Sequence, residues 1–97
     1  MAGTTMAPLG VAATIERKIS SAFSPVRLEI VDESHRHVGH VGARPEGESH
    51  FRIELVSRAF EGKSRVDRQR MVYDVLADEM ASHVHALTLR TLTPAED

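Results

Sequence analysis

Six histidines in a chain without cysteine are the residues best suited to chemistry. They stand at His35, His37, His40, His50, His83 and His85. Neutral imidazole is a good ligand for iron, zinc, copper and nickel, and in an extended chain an H-x-H spacing puts both rings on one side. The spacing fits no structural zinc motif, so a solvated polar loop is the alternative for the first three.

His85 also allows two interpretations. It alternates with Leu87 and Leu89, so it shares their face at the start of a predicted strand. A lone histidine in such a place is commonly a half-buried, hydrogen-bonded core residue. The other interpretation is a metal ligand. Because the chain has no cysteine, it supplies no thiolate, and any sulfur for a soft metal centre must come from a partner.

A second candidate surface is basic. Residues 58–70 hold five basic side chains against two acidic ones, a net charge of +3. A run of this kind near a helix start can contact phosphates, can bind an acidic protein, or can be a plain solvated face. The basic members are Arg58, Lys63, Arg65, Arg68 and Arg70.

Length and composition limit the remaining possibilities. With 97 residues, 41% of them hydrophobic, the chain can form one modest core. The net charge of −2 gives no overall attraction to nucleic acid or to membranes. Residues 1–14 contain no Lys or Arg and lack the pattern of a secretory signal. We expect a disordered lead over residues 1–10, one domain over 11–94, a tail over 95–97, no membrane contact and a cytoplasmic location.

The order of predicted elements is α-β-β-α-β. Apolar residues recur every fourth position from Val11 to Phe23, which predicts an amphipathic helix. Alternation predicts strands over 26–30 and 51–55, paired antiparallel around a long loop. A second helix capped by Ser64 is predicted to run to about Ser82, and a third strand over 84–92. The fold class is therefore α/β of the α+β kind, a three-stranded sheet with helices packed on it.

Several segments resemble the BolA family in their order and spacing, from about Ile15 to Pro94. That family has a small KH-like domain of the class II type, which this resemblance implies here. The segments are Asp32-Glu33-Ser34-His35-Arg36-His37, Gly47-Glu48-Ser49-His50-Phe51, Val56-Ser57-Arg58-Ala59-Phe60-Glu61-Gly62, Arg68-Gln69-Arg70-Met71-Val72-Tyr73, Leu76-Ala77-Asp78-Glu79-Met80 and Val84-His85-Ala86-Leu87.

The resemblance implies a non-enzymatic adaptor that shares a 2Fe–2S cluster with a monothiol glutaredoxin. His85 and a histidine of the loop between the first two strands would be ligands, and the glutaredoxin and its bound glutathione would supply thiolates. The isolated chain would be a monomer without cofactor, and the complex a heterodimer. The family also has members described as DNA-binding regulators, which is the alternative function and would use the basic residues of 58–70.

Two departures from the family pattern bear on the site. The family commonly has Arg-His-Arg where this chain has Arg68-Gln69-Arg70, so any role of that central histidine is lost. The loop after His37 is also longer than in many members. We expect His37 to be the loop ligand because it lies nearer the first strand, with His40 as the alternative and His50 third. Gly39-His40-Val41-Gly42 spells the G-x-x-G clamp of RNA-binding KH domains, but it falls between strands rather than helices.

Overall fold

The computed structural model describes residues 10–33 and 50–97. Within them the predicted order of elements and the three-stranded sheet are confirmed. No helix in these two stretches is both long and apolar enough to cross a membrane. In chain order the elements are α1 (Val11–Phe23), β1 (Arg27–Asp32), β2 (His50–Val56), α2 (Arg65–Val75), α3 (Ala77–Ser82) and β3 (Ala86–Leu92), with 3-10 turns at Arg58–Phe60 and Pro94–Glu96.

The central strand of the sheet is β2. It pairs antiparallel with β1, as predicted, and parallel with β3. A parallel pair needs a long crossover connection, which α2 and α3 supply. Consequently β2 and β3 both begin at the same end of the sheet, which is the end where β1 stops. The chain therefore leaves β1 at Glu33, enters β2 at His50 and enters β3 at Ala86 at this same end of the sheet.

One face of the sheet carries the core. Alternate residues of β2, Phe51, Ile53 and Leu55, are at most 2% exposed and pack beneath the helices. Ile15 and Ile19 of α1 are fully buried, which confirms the buried helix face predicted from apolar residues at every fourth position. Burying side chains of this size stabilises the fold by about 1.5–3 kcal/mol each. The core therefore fixes the register of the sheet and, through it, the position of the strand ends.

The end of α1 is joined to the end of β2. Ser24 adopts a left-handed conformation with φ of 45°, which stops the helix just before Pro25. The fully buried Ser57 hydroxyl donates to the Phe23 carbonyl at 2.6 Å and accepts from the Ala59 N–H at 3.0 Å. The serine thus satisfies one carbonyl of α1 and starts the 3-10 turn after β2.

Several predicted boundaries differ from the structure. The first strand covers Arg27–Asp32 instead of 26–30, and the second covers His50–Val56 instead of 51–55. The second helix bends at Leu76, where φ is −101° and ψ is 20°, so it forms α2 and α3 instead of one helix. The third strand begins at Ala86 rather than Val84, because the Val84 N–H donates to the Glu79 carbonyl and closes α3. His85 accordingly lies in the connection before β3 and not in the strand itself.

The chain's last residues are also attached to the domain. Thr93 caps a 3-10 turn at Pro94–Glu96. Glu96 pairs with Arg68, and Asp97 pairs with Arg27. Of the predicted lead over residues 1–10, only Gly10 is among the described residues.

Candidate functional site

His85 is exposed at the end of the sheet where β2 and β3 begin. The parallel register pairs His50 with Ala86, the residue that follows His85. This pairing brings the two histidines together, with ring centres 5.8 Å apart and ring planes at 50°. We call His50 and His85 the histidine edge. The exposure of His85 does not fit the half-buried core role that the sequence left open.

The loop between β1 and β2 is anchored at this edge on both sides. Glu33, directly after β1, donates its N–H to the carbonyl of His50 at 2.8 Å. His37 and His40 belong to residues 34–49, which lie outside the described residues. The choice between them therefore stays a prediction. The described residues do establish that the loop leaves and re-enters the domain beside His85.

The donor set of the histidine edge suits a metal shared with another molecule. Zinc–nitrogen bonds are about 2.0–2.1 Å long, so a tetrahedral ion holds two imidazole centres roughly 5 Å apart. The observed 5.8 Å separation of His50 and His85 is close to that spacing. Residues 10–33 and 50–97 contain no group of three or more His, Cys, Asp or Glu placed to hold a metal ion. If both imidazoles were ligands, they would fill half of a four-ligand shell.

The sequence ranked His50 behind the loop histidines, yet the structure places it next to His85. The missing information was the parallel pairing of β2 with β3. Alternation alone predicts that both segments are strands, but it does not say which strand ends share an edge. Nothing in the spacing of His50 and His85 along the chain indicates their proximity.

The basic residues of 58–70 do not form one uniform surface. Arg58, Lys63, Arg65 and Arg70 are exposed, and Arg70 has only a 3.9 Å contact with Asp67. These side chains surround the start of α2, where Ser64 caps the helix by accepting from the Asp67 N–H. They are accessible to a partner.

Arg68 is used inside the molecule. Its side chain is 12% exposed, and its guanidinium donates to the carbonyls of Lys63 and Thr91 at 2.9 and 3.2 Å. It also pairs with Glu96, Nη1 to Oε1 at 2.6 Å. The hydrogen bond from Arg68, followed by one from the Thr93 N–H, lowers the pKa of Glu96 from 4.5 to about 2. Arg68 thus holds the C-terminal turn to α2.

The open face of the sheet, which is opposite the face that packs against the helices, carries side chains of both charges. Glu54 lies between Arg27 and Arg90, each 3.2 Å from one of its carboxylate oxygens. Arg52 pairs with Glu33 at 2.9 Å. Hydrogen bonds to Asp97 first, and then to Glu54, raise the pKa of Arg27, and the bond to Glu33 raises that of Arg52. Because these cations are paired with carboxylates, this face is less suited to phosphates than the start of α2.

Comparison with known proteins gives a consistent match. A family model described as BolA-like protein matches residues 19–96. The chain is 49% identical over 82 residues to the DNA-binding transcriptional regulator BolA of Escherichia coli, covering 84% of this chain and 74% of that protein. It is 45% identical over 86 residues to SufE-like protein 1, chloroplastic/mitochondrial, of Arabidopsis thaliana, covering 84% of this chain. The match spans only 23% of that plant protein.

Solved structures agree with the sequence matches. The BolA domain of SufE1 from Arabidopsis thaliana superposes with a TM-score of 0.82 at 43% identity, covering 94% of this chain and all of that one. BolA1 from the same plant gives 0.81 at 33% identity, covering 93% of this chain and 99% of that one. The similarity therefore extends over nearly the whole length of both solved domains.

Proposed function

This chain belongs to the BolA-like protein family, and we propose that it is an adaptor that binds a monothiol glutaredoxin and holds a 2Fe–2S cluster jointly with it. The observation that carries the proposal is the histidine edge. His85 is exposed there, beside His50 and beside both anchors of the histidine-bearing loop. Imidazoles from two segments of the chain can therefore meet one iron atom from the same side.

The lack of cysteine determines what the partner must bring. Imidazole ligates iron well, but the two remaining positions on a four-ligand iron–sulfur centre call for thiolates. The glutaredoxin and its glutathione supply these in the proposed complex. Histidine ligation on one iron raises the reduction potential relative to all-thiolate ligation. Separation of the two proteins would remove half of the ligands, which suits transfer to a third protein.

In this proposal His85 is one ligand of this chain and a loop histidine is the other. His37 is the first choice, because a ligand close to the end of β1 loses less conformational entropy on binding than one flanked by Gly39 and Gly42. His40 is the alternative, since those glycines give it more reach. His50 is a third candidate, supported by its closeness to His85.

The decisive experiment is reconstitution of the cluster with and without the partner. The isolated chain should stay colourless, and addition of a monothiol glutaredoxin and glutathione should give a 2Fe–2S absorption and circular dichroism spectrum distinct from that of the glutaredoxin homodimer. Size exclusion should show a heterodimer. An unchanged homodimer spectrum without heterodimer would refute the proposal.

The same complex identifies the loop ligand. His37→Ala, His40→Ala and His50→Ala are each reconstituted, and the reduced cluster is examined by EPR. The variant that removes a true ligand loses the histidine signature, whereas the other two keep it. His83→Ala serves as the control, because His83 is exposed and its Nδ1 already contacts the Ser82 hydroxyl at 2.8 Å.

DNA binding is the second candidate function. The relatives from Escherichia coli and Vibrio cholerae are named DNA-binding transcriptional regulators, and the exposed basic residues around α2 offer a phosphate-binding surface in this chain. Arg65 and Arg70 are better targets for substitution than Arg68, which holds the fold. If both contact phosphates, the double alanine variant should lower the slope of log affinity against log salt by about 2. Arg17→Ala on α1 is the matched control, and a slope unchanged from wild type would count against this surface.

A further inference from the structure

The outer side of β3 is a strand edge without a partner strand among residues 10–33 and 50–97. In the sheet order β1-β2-β3 the one neighbour of this strand within those residues is β2. The Leu92 carbonyl accepts from Ser57, on the β2 side. Because backbone groups alternate along a strand, residues 87, 89 and 91 point their N–H and C=O groups to the other side. Such an edge is a template for pairing with another chain.

Side chains of α2 cover parts of this edge and leave its middle open. The Tyr73 hydroxyl donates to the Leu87 carbonyl at 3.4 Å, and Arg68 donates to the Thr91 carbonyl at 3.2 Å. Between these two contacts lie both backbone groups of Leu89 and the N–H of Thr91. The buried Thr91 hydroxyl has no hydrogen-bond partner within the described residues. The edge thus retains hydrogen-bonding capacity along its C-terminal half.

A groove runs beside this part of the strand. It has a volume of about 590 Å³ and lies between the start of α2 and residues 89–92 of β3. Val66 and Tyr73 are 57% and 38% exposed. They are seven residues apart on α2 and so lie on one side of the helix, and the contact of Tyr73 with Leu87 shows that this side faces β3. Exposed apolar side chains of α2 thus lie beside the strand edge, next to the residues that line the groove.

The charge of the groove selects its occupant. Arg65, Arg68 and Arg90 line it together with Glu96. Arg90 pairs with Glu54 on the open face of the sheet and Arg68 pairs with Glu96, so the exposed Arg65 supplies the accessible positive charge on the α2 side. The carboxylate of Glu96 on Arg68 shows that the arginines of this groove already bind an acidic side chain.

We propose that the β3 groove binds an extended acidic segment of a partner protein, which adds to the sheet as a fourth strand beside β3. Backbone groups of Leu89 and Thr91 would pair with the segment. Its side chains on the α2 side would be acidic and apolar by turns, the acidic ones meeting Arg65 and the apolar ones contacting Val66. This mode of recognition obtains affinity from the main chain and specificity from side chains on alternating positions. The site lies at the end of β3 opposite to His85 and does not depend on cluster binding.

The test uses the full chain and a short peptide in which every second residue is glutamate or valine in turn, with threonine between them, so that both kinds of side chain face α2. Binding is followed by NMR and by amide hydrogen exchange. The amides of Leu89 and Thr91 should become protected when peptide is added, while those of Thr88 and Arg90, which face β2, should change little. A peptide with lysine in place of glutamate, and one N-methylated at alternate amides, should both bind weakly.

Charge reversal provides the matched pair of variants. Arg65→Glu should weaken binding about three- to tenfold by replacing attraction with repulsion, whereas Arg17→Glu on α1 should leave it unchanged. The proposal is overturned by the absence of any shift at about 1 mM peptide, or by equal affinities of the two variants. It is also overturned if single-stranded DNA protects Leu89 and Thr91 at lower concentration than the peptide does. Protection that needs no peptide and rises with protein concentration would assign the edge to self-association instead.

Discussion

Exposure separates the two roles that the sequence allows for His85. Its alternation with Leu87 and Leu89 suggested a place on the buried face, but the strand begins one residue later and the side chain lies in solvent. A core histidine would contribute packing and a buried hydrogen bond. An exposed one contributes little to stability and remains available as a ligand.

We therefore predict that His85→Ala changes the free energy of unfolding by less than about 0.5 kcal/mol. The same variant should alter or abolish the histidine signature of the cluster reconstituted with glutaredoxin. Urea denaturation of the isolated chain and EPR of the complex measure the two effects. His83→Ala should affect neither quantity. A large loss of stability with an unchanged cluster would restore the core interpretation.

Glu96 gives a second prediction for a single residue. Arg68 lowers its pKa to about 2 from 4.5, so the pair stabilises the folded chain fully above about pH 4.5. That contribution is lost as the pH falls towards 2, where the carboxylate becomes protonated. Glu96→Gln should accordingly lower the urea midpoint at pH 7, and its difference from wild type should shrink as the pH falls below 4.5. An NMR titration of the Glu96 carboxyl in wild type and in Arg68→Gln tests the cause. The pH at the midpoint of this titration should be higher in the variant, which lacks the guanidinium.

At the scale of elements, a small polar joint connects α1, β2 and the following turn. Ser57 is fully buried and bonds to the Phe23 carbonyl and the Ala59 N–H. Ser57→Ala leaves a buried carbonyl unpaired, and we expect the free energy of unfolding to fall by about 1 to 3 kcal/mol. Ser20→Ala, at an exposed position of α1, is the control and should be nearly neutral. Equal effects in the two variants would show that the joint contributes little.

Which parts of the fold could be predicted depends on how far apart along the chain the interacting residues lie. The spacing of Ile15, Ile19 and Phe23 and the alternation of β2 report on burial within one element, and both predictions are confirmed. In the first strand the alternation was wrong for Val26, which is 60% exposed and precedes β1. The start of β3 was wrong by two residues, because it depends on the Val84–Glu79 bond that closes α3. The groove beside β3 and the closeness of His50 to His85 arise from the parallel pairing of distant segments, which local patterns do not encode.

At the scale of the whole molecule, the proposed cluster site and the proposed peptide groove lie towards opposite ends of β3. His85 precedes Ala86 at the start of β3, whereas the β3 groove with Arg65 lies beside residues 89–92. At about 3.3 Å per residue, His85 is about 13 Å from Leu89, where the groove begins, and about 23 Å from Leu92, where it ends. The parallel pairing with β2 holds that strand in a rigid sheet, so neither site needs the other in order to form.

We predict that occupation of the two sites is thermodynamically independent at physiological salt. At an ionic strength of 0.15 M the Debye length is about 8 Å, shorter than the distance of about 13 Å or more from His85 to the groove, so charge at the histidine edge is screened from Arg65. Affinity for the acidic peptide should then agree within about twofold between the isolated chain and its cluster-loaded complex with glutaredoxin. At 0.01 M the Debye length is about 30 Å, and an electrostatic coupling should appear. Fluorescence anisotropy at both salt concentrations measures the coupling, with Arg65→Glu reporting whether it acts through the groove. A coupling above twofold that persists at 0.15 M would contradict independence and would require a conformational link between the strand's two ends.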